Sequence, residues 1–295
     1  MMYGIFYNET AGGGSNADKA HRVELLMQQA GRATETITVA KKDQVVATLR
    51  RKLHHLDDLI VIGGDGTLNA AISAMTEEQL AIPLGIIPGG TINNFATRWG
   101  LPEDVDEAVQ VILAGRKIRV GIGETQTHRA IVSSLTFGNL ADISNDVRQK
   151  DKQRLGKLVY LKTALQQVGR HHSYQVQITM DHHKPRRYNT WFAMLTTTAD
   201  VGGHRYTDPT PNRFHFSILH NIHLKQVVPY LYFAWTGRLD HSKSITYATP
   251  RQVLLVGKST ETITTHIDGD RGPELPLKLQ FLPRFLPLYV PINNE

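Results

Sequence analysis

An apolar run that ends abruptly in a glycine-rich turn is the feature that most constrains this chain. Residues 59–62 are all apolar, and they are followed by Gly63, Gly64, Asp65, Gly66 and Thr67. Four consecutive apolar residues predict a parallel strand that is buried on both faces. The glycines let the backbone turn sharply and approach a ligand closely, which bulkier side chains would prevent. We therefore predict a buried strand that runs into a binding turn.

A helix is predicted to begin at this turn. Apolar residues recur at helical spacing after it, at Leu68, Ala71, Ile72 and Met75. The first N–H groups of this helix and the positive end of its dipole would face the turn, an arrangement that favours phosphate. The pattern is not the GxxxxGK[ST] phosphate loop, because no lysine follows the last glycine.

Asp65 stands between the glycines of the turn. Its negative charge cannot itself attract phosphate, which leaves two roles for its carboxylate. It could hold the turn by accepting backbone N–H bonds, or it could reach a phosphate-bound Mg²⁺. Both roles remain open from the sequence.

A second turn of similar character follows within thirty residues. Residues 83–87 predict another strand, which ends in Pro88, Gly89, Gly90 and Thr91, and a helix start follows at residues 92–96. The carboxyl ends of neighbouring parallel strands meet at one edge of a sheet, where ligands collect. Two adjacent turns that can face phosphates indicate a nucleotide.

Up to about residue 122 the chain alternates short apolar runs with helical segments. This alternation predicts an α/β domain with a doubly wound parallel sheet. We predict strands near residues 4–7, 35–39, 58–62 and 83–87, and helices near residues 17–30, 43–54, 68–74, 92–99 and 105–114.

Beyond residue 123 the pattern changes to period-two alternation, as in residues 174–180, 214–218 and 251–256. Such alternation is typical of half-buried antiparallel strands, so we predict a β-sandwich domain. Helices are expected around residues 157–169 and 224–236, and prolines 283, 287 and 291 fit an exposed edge or an extended tail. The predicted domains are residues 1–122 and 123–295, and a return of the C-terminus to the first domain is left open.

Composition narrows the class of protein. The 295 residues contain no cysteine, which excludes disulfides, thiol catalysis and cysteine-ligated zinc, and indicates a reducing cytosol. The formal charge of +6 is compatible with nucleotides or an anionic membrane surface. No nucleic-acid-binding motif is present, and no apolar run reaches 18 residues. We expect a cytoplasmic protein that is soluble or peripheral to the inner face of the membrane.

Taken together, these motifs resemble the diacylglycerol kinase catalytic family, which includes bacterial lipid kinases and the sphingosine and ceramide kinases. The family pattern GGDGTxN stands at residues 63–69, and P-x-G-T-x-N-D-F-A stands at residues 88–96 with Asn94 in place of aspartate. Residues 155–160 resemble its G-K-L-x-Y stretch, and Gly202-Gly203 with later prolines matches a third pattern. His266-Ile267-Asp268-Gly269-Asp270 resembles its late D-G-E motif.

The resemblance implies an NAD kinase-like first domain and an ATP-dependent lipid kinase that uses Mg²⁺. The γ-phosphoryl group would pass to a diacylglycerol-like hydroxyl, with the nucleotide between the two domains. The residues expected to bind the nucleotide are Thr38, Gly63, Gly64, Asp65, Gly66, Thr67, Asn69, Gly90, Thr91 and Asn93. The expected partner is a lipid substrate at a membrane surface; no nucleic acid is expected, and a homodimer is compatible with the sequence.

Asp268 and Asp270 are the candidate catalytic acids. The Asp-Gly dipeptide alone favours a plain hairpin turn. The resemblance instead assigns the proposed base and an acid near ATP to this triplet, with the last acid named most often as proton acceptor. Here that acid is Asp270, one methylene shorter than the glutamate of the family pattern. Asn212-Arg213 replaces an Asp-Gly pair that helps to hold a structural Mg²⁺ in the family, so we predict no resident metal.

Two other functions remain open from the sequence. An NAD kinase-like enzyme would share the GGDGT turn, but no Asn-Thr-Asp follows the second strand. A catalytically silent nucleotide- or lipid-binding protein would fit the departures at Asn94, Asn212 and Asp270, which reduce the acidic groups around the site.

Overall fold

The computed structural model describes residues 1–8, 15–39, 41–90, 93–139, 173–201, 204–205, 210–220, 245–258 and 262–292. It divides into two compact units, Met1–Val132 with Leu282–Glu295, and Ser133–Phe281. The division falls later than residue 122 because the strand that begins at Lys117 continues to Thr125 and pairs with the next strand in the same unit.

The elements of the first unit alternate between strands and helices. In chain order they are β1 (Met2–Asn8), α1 (Ser15–Gln29), β2 (Ala33–Val39), a 3-10 turn (Lys42–Gln44), α2 (Val45–Leu53), β3 (Asp58–Gly63), α3 (Asp65–Glu77), β4 (Leu84–Pro88), α4 (Asn94–Arg98), α5 (Val105–Ala114), β5 (Lys117–Thr125) and β6 (Ala130–Ile131). β1 to β4 are parallel in the order β2-β1-β3-β4, and the end of the last strand of the chain pairs with β4 through Leu288 and Leu84.

Helices cover both faces of this parallel sheet. α1 and α5 pack on one face, against residues such as Ile5 and Ile60, and α2 and α3 pack on the other, against Phe6 and Val61. Every residue of β3 is buried, as the apolar run predicted, since a strand covered on both faces has no solvent-exposed side. The predicted doubly wound α/β domain is confirmed.

The second unit consists of antiparallel strands. In chain order they are β7 (Ser134–Gly138), β8 (Tyr174–Met180), β9 (Arg186–Thr190), β10 (Phe192–Thr196), β11 (Asp200–Val201), β12 (His204–Arg205), β13 (His215–Leu219), β14 (Ile245–Ala248), β15 (Gln252–Gly257), β16 (Thr264–Ile267), β17 (Asp270–Glu274) and β18 (Leu277–Tyr289), of which the residues up to Phe281 belong here. Six described strands form one sheet in the order β14-β13-β10-β7-β16-β17.

The remaining main strands of this unit form a second layer, in which β15 lies between β18 and β8, and β9 follows β8. Alternate residues of β15, Val253 and Leu255, are buried, which is the periodicity that predicted the strand. The rings of Phe214 and Phe281 meet edge to face at 5.2 Å and join the two layers. The predicted sheet-rich second domain is confirmed.

The prediction of an exposed edge or tail is wrong for two of the three C-terminal prolines, while Pro291 lies after the last strand. Pro283 and Pro287 lie within β18, which is a paired strand rather than an exposed edge or tail. Pro283 falls between the stretch paired with β15 and Leu288, which pairs with β4. Because Pro283 has no β15 partner, its missing N–H costs no bond to that strand. The helices predicted around residues 157–169 and 224–236 lie outside the described residues.

Candidate active site

The two glycine turns are in direct contact at the carboxyl edge of the parallel sheet. Gly63 and Pro88 are register partners at the ends of β3 and β4, and the N–H of Gly89 donates to the carbonyl of Gly63 at 3.0 Å. A Cβ atom added at Gly90 would lie 2.5 Å from Cα of Gly64. Only glycine permits this approach, so the prediction that the turns lie side by side is confirmed.

The Thr67 side chain packs against the backbone of the first turn. A Cβ atom added at Gly63 would lie 2.7 Å from both Cβ and Oγ1 of Thr67, so the residue at position 63 cannot carry a side chain. The Thr67 side chain is buried. The sequence predicts that Thr67 binds the nucleotide, and the structure shows its side chain next to the backbone of Gly63.

The amino end of α3 opens directly from the first turn. Leu68 is the first residue whose N–H reaches a carbonyl one turn back, that of Gly64 at 3.0 Å. The N–H groups of Asp65, Gly66 and Thr67 therefore have no acceptor within the helix. Together with the helix dipole, these three amides are an arrangement that favours an anion; the binding of phosphate here stays a prediction.

The Asp65 carboxylate in the first turn bonds the helix that follows the second turn. Its Oδ2 accepts the backbone N–H of Asn94 at 3.0 Å, its Oδ1 accepts that of Phe95 at 3.1 Å, and the Asn94 amide approaches Oδ2 at 3.4 Å. These two backbone groups open α4, so the Asp65 carboxylate caps the helix that follows the second turn. Of the two roles left open for Asp65, the structure shows the acceptance of backbone N–H bonds.

Asn93 closes the second turn on itself. Its Oδ1 accepts the N–H of Gly90 and its Nδ2 donates to the carbonyl of Gly90, both at 2.9 Å. Since the N–H of Gly89 is bonded to Gly63, both described glycine amides of this turn already have protein acceptors. Gly90 and Asn93 thus shape the turn through these bonds, and their contact with the nucleotide stays a prediction. Thr91 lies outside the described residues.

Asn69 lies within α3 and Thr38 near the end of β2. The buried Asn69 amide donates to the carbonyl of Ala130 at 2.9 Å, while the N–H of Ala130 donates to Ser73 Oγ at 2.9 Å. These polar groups of α3 bond the backbone of β6, and the nucleotide contact of Asn69 stays a prediction. Thr38 is exposed on β2, in register with Tyr7 of β1.

The Asp268-Gly269 pair forms the two-residue turn between β16 and β17. Asp268 and Gly269 have φ of 51° and 88°, and Ile267 pairs with Asp270 across the turn. Positive φ at both positions is the conformation that Asp-Gly favours in tight hairpins. The local geometry is therefore that of the hairpin which the dipeptide alone predicted.

The carboxylate of Asp268 is bound to a neighbouring strand. Its Oδ1 accepts the backbone N–H groups of Ser133 and Ser134 at 2.7 and 2.8 Å. Asp270, the first residue of β17, is half-exposed. The two acids thus stand in different environments. Asp268 accepts bonds from backbone amides at the start of β7, and Asp270 lies directly after the hairpin turn.

Arg213, which stands where the family pattern has the glycine of an Asp-Gly pair, forms an ion pair with Asp181. Arg213 donates to Asp181 Oδ2 at 3.3 Å and to the carbonyl of Thr249 at 3.1 Å. Burial favours a higher pKa for Asp181, but the backbone N–H groups of Gln252 and Arg251, together with Arg213, outweigh it and hold that pKa below its usual range. Within the described ranges, no three His, Cys, Asp or Glu side chains group closely enough to hold a metal ion.

Sequence reasoning missed several residues of this edge, among them Ser73, Asn16 and Lys19. Asn16 and Lys19 belong to α1, and their contacts with the second turn span about seventy residues of chain. No local signal in the sequence marks such contacts. Among the described helices, none has both the length and the apolar character required to cross a membrane.

Comparison with known proteins agrees with this geometry. The sequence profile of the diacylglycerol kinase catalytic domain matches residues 2–125. A diacylglycerol kinase of Staphylococcus carnosus is 25% identical over 291 residues, which cover 97% of this chain and 94% of the relative. A diacylglycerol kinase of Bacillus subtilis is 27% identical over 295 residues, with coverage of 97% and 95%.

The fold is shared with solved structures as well. A diacylglycerol kinase structure from Bacillus anthracis aligns with a TM-score of 0.71 at 16% identity, covering 99% of this chain and 97% of that one. Another structure from the same organism reaches 0.79 at 17% identity, with coverage of 99% and 95%. The diacylglycerol kinase catalytic domain profile thus matches residues 2–125, and the chain is similar over nearly its whole length to proteins named diacylglycerol kinases.

Proposed function

We propose that this protein is an ATP-dependent lipid kinase that transfers the γ-phosphoryl group to the hydroxyl of a diacylglycerol-like lipid. The observation that carries the proposal is the contact between the two glycine turns, in which a Cβ atom added at Gly90 would lie only 2.5 Å from Cα of Gly64. This contact places the amide-rich end of α3 at a shared edge. The kinase relatives, named diacylglycerol kinases, support the choice of acceptor.

In this proposal the first turn holds the nucleotide phosphates. The N–H groups of Asp65, Gly66 and Thr67 point out of the amino end of α3 and would donate to phosphate oxygens. Phosphoryl transfer needs little covalent help from the protein, because positioning and stabilisation of developing charge supply most of the acceleration. A rigid turn with fixed donors meets that need. The contacts of Gly63 with Thr67 and of Asp65 with α4 keep the turn rigid.

Mg²⁺ is proposed as part of the substrate, MgATP. Both oxygens of the Asp65 carboxylate already accept backbone N–H bonds, and the described residues contain no cluster of metal ligands. Mg²⁺ in kinase sites keeps several waters and is bound largely through phosphate oxygens, so it requires few protein ligands. Bound in this way, the ion would neutralise charge that develops on the phosphates during transfer.

Asp270 is the proposed proton acceptor. The lipid hydroxyl oxygen would form the new bond to the γ-phosphorus as the bond to the β-phosphate oxygen breaks, and the hydroxyl proton would move to the Asp270 carboxylate. Asp270 stands where the family's D-G-E pattern has the acid most often named as proton acceptor, and the Oδ1 of Asp268 accepts two backbone N–H bonds. Asp268 would position the hairpin that carries Asp270.

The test is transfer of label from ATP to lipid. Purified protein with Mg²⁺ and γ-labelled ATP is offered diacylglycerol, sphingosine, ceramide and polyprenol in mixed micelles, with NAD in a parallel reaction. The proposal expects label in diacylglycerol, and a loss of at least about 100-fold in Asp270→Asn. Glu274→Gln, at the other end of β17, is the matched control and should keep full activity. Label in NAD alone, or in no acceptor, contradicts the proposal.

A nucleotide-binding protein without turnover is the second candidate. Asn94 lacks the negative charge of the aspartate in the family pattern, and the side chain of Asp270 is one methylene shorter than the glutamate there; both changes favour this candidate. Calorimetric binding of ATP together with no labelled lipid, and no change of affinity in Asp270→Asn, would support this candidate over the kinase.

A further inference from the structure

The second glycine turn supplies fewer donors than its sequence suggests. The N–H of Gly89 is bonded to Gly63 and the N–H of Gly90 to Asn93, so neither described glycine amide of this turn is available to a ligand. A nucleoside triphosphate carries several negative charges, and the amino end of α3 supplies only about half a positive charge. A cation at the second turn would supply further positive charge for the phosphates.

Lys19 reaches the second turn from α1. Its Nζ donates to the carbonyl of Pro88 at 2.6 Å, immediately before Gly89, and the side chain is half-buried. The contact is fixed by a second residue on the same helical face, Asn16, three positions earlier. A Cβ atom added at Gly89 would lie 2.5 Å from Asn16 Oδ1. α1 therefore packs directly against the turn and brings an ammonium group to it.

Unlike Lys52 and Arg50, Lys19 is not paired with a carboxylate of the described residues. Lys52 pairs with Glu35 at 2.5 Å, and Arg50 pairs with Glu77 and Glu78. Within the described part of the chain, the partner of Lys19 is a neutral carbonyl and no carboxylate lies within ion-pair distance. An ammonium group has three donors, so one bond to Pro88 leaves two that can turn toward an anion.

We propose that Lys19 is a nucleotide-binding residue whose ammonium group contacts the phosphates of ATP at the second turn. The inference rests on the proposed use of ATP and adds a residue, and a source of charge, to that site. Pro88 would hold the side chain extended, so that little rotamer freedom is lost when phosphate binds.

The test compares ligands that differ in the number of phosphates. ATP with Mg²⁺, ADP, AMP and adenosine are titrated calorimetrically into the wild type, Lys19→Met, Lys19→Gln and Lys19→Arg. We expect Lys19→Met and Lys19→Gln to weaken ATP binding by about tenfold or more, with smaller losses for ADP and AMP and none for adenosine. Lys19→Arg, which keeps the charge, should recover most of the affinity. Lys52→Met is the matched control, and should bind every ligand as the wild type does.

The outcomes separate this inference from the proposed function. If the wild type binds ATP and Lys19→Met and Lys19→Gln bind it equally well, the inference is overturned while the kinase proposal stands. An equal loss for all four ligands, together with a lower melting temperature, would show that Lys19 only clamps Pro88, and this also overturns it. Lys19→Gln keeps a donor for the carbonyl, so it remains informative if Lys19→Met does not fold. A wild type that binds no nucleotide overturns the proposed function and the inference together.

Discussion

Asp268 and Ser134 are joined by hydrogen bonds in both directions. The backbone N–H of Asp268 donates to the carbonyl of Ser134 at 2.8 Å, and the Ser134 N–H donates to Asp268 Oδ1 at 2.8 Å. The same Oδ1 accepts the N–H of Ser133, and the N–H of Thr197 donates to the Ser133 carbonyl at 3.0 Å. The Asp268 carboxylate thus fastens the start of β7 to the hairpin, and the Ser133 carbonyl links the same segment to Thr197.

The first prediction separates structure from catalysis at Asp268. Asp268→Asn keeps an oxygen that accepts both N–H groups and a residue that tolerates positive φ, so we expect a native melting temperature and activity within about tenfold of the wild type. Asp268→Ala leaves two backbone donors without their acceptor and should lower the free energy of unfolding by roughly 2 kcal/mol. Thermal unfolding and the lipid-labelling assay measure the two effects. A stable Asp268→Asn that is as inactive as Asp270→Asn would show that Asp268 takes part in the chemistry.

The turn at residues 268–270 shows why sequence reasoning reaches some features and not others. The hairpin was predictable because Asp-Gly fixes two local φ angles, whatever the rest of the chain does. The engagement of the Asp268 carboxylate was not, because its partners Ser133 and Ser134 lie more than 130 residues away. Local conformation is determined by neighbouring residues, whereas the hydrogen-bond partner of a side chain depends on the completed fold.

The second prediction concerns Asn94, where the family pattern has aspartate. The Asn94 side-chain amide approaches Asp65 Oδ2 at 3.4 Å, and an aspartate there would place two carboxylates side by side. We expect Asn94→Asp to lose about 1 kcal/mol of stability in the presence of a chelator, because exposed like charges at this distance repel each other moderately. Millimolar Mg²⁺ should restore it by binding between the two acids.

Melting temperatures with chelator and with Mg²⁺ measure this effect. The wild type, which has a single carboxylate at this position, should respond little to the ion in the absence of nucleotide. The matched control is Asn94→Ala, which loses the amide without adding a charge and should not gain stability from Mg²⁺. An Asn94→Asp variant that is equally stable in both conditions would contradict the argument.

The third prediction tests the contact between the glycine turns. In Gly90→Ala the added Cβ would lie 2.5 Å from Cα of Gly64 and 2.9 Å from Asn93 Oδ1, so the backbone must move. We expect a loss of about 1–3 kcal/mol in the free energy of unfolding and a clear loss of ATP affinity. Gly257→Ala is the control, because its nearest neighbour would be 3.5 Å away, an ordinary contact. Equal effects of the two substitutions on denaturant unfolding and on calorimetric ATP binding would contradict the close approach.

The parallel sheet and its turns were predictable because apolar runs and glycines report burial and backbone freedom directly. The side-chain roles were harder to predict. Asn69 was expected to contact phosphate, yet its amide bonds Ala130, 61 residues away, and Ser73 one helical turn later bonds the same residue. Asn69 and Ser73 lie on one face of α3, but the sequence does not indicate that this face meets β6. Polar residues near a binding turn therefore need their partners identified before a ligand role is assigned.

The last prediction concerns Tyr289, the last residue of β18, whose side chain contacts Asp58, the first residue of β3. Its hydroxyl donates to Asp58 Oδ1 at 2.7 Å, and Asp58 is almost completely buried. Burial, and then the hydrogen bond and charge of Asp58, raise the pKa of Tyr289 above its usual value of 10.0. The folded state therefore binds this proton more tightly than the unfolded state. The resulting stability is fully present below about pH 10 and is lost as the pH rises above that value, where the unfolded tyrosine ionises first.

Tyr289→Phe removes both the donor and the ionisable group. At pH 7 it should lower the free energy of unfolding by about 1–3 kcal/mol, because buried Asp58 loses a hydrogen-bond donor. Above about pH 10 the wild type should lose stability more steeply than the variant, so that the difference between them narrows with pH. Denaturant unfolding from pH 7 to 11 measures both quantities, with Tyr188→Phe as a control that keeps the Asp58 contact. Parallel stability curves for the wild type and Tyr289→Phe across this range would show that the phenol proton is held no more tightly in the folded chain than in the unfolded one, and the difference at pH 7 would then have to come from packing alone.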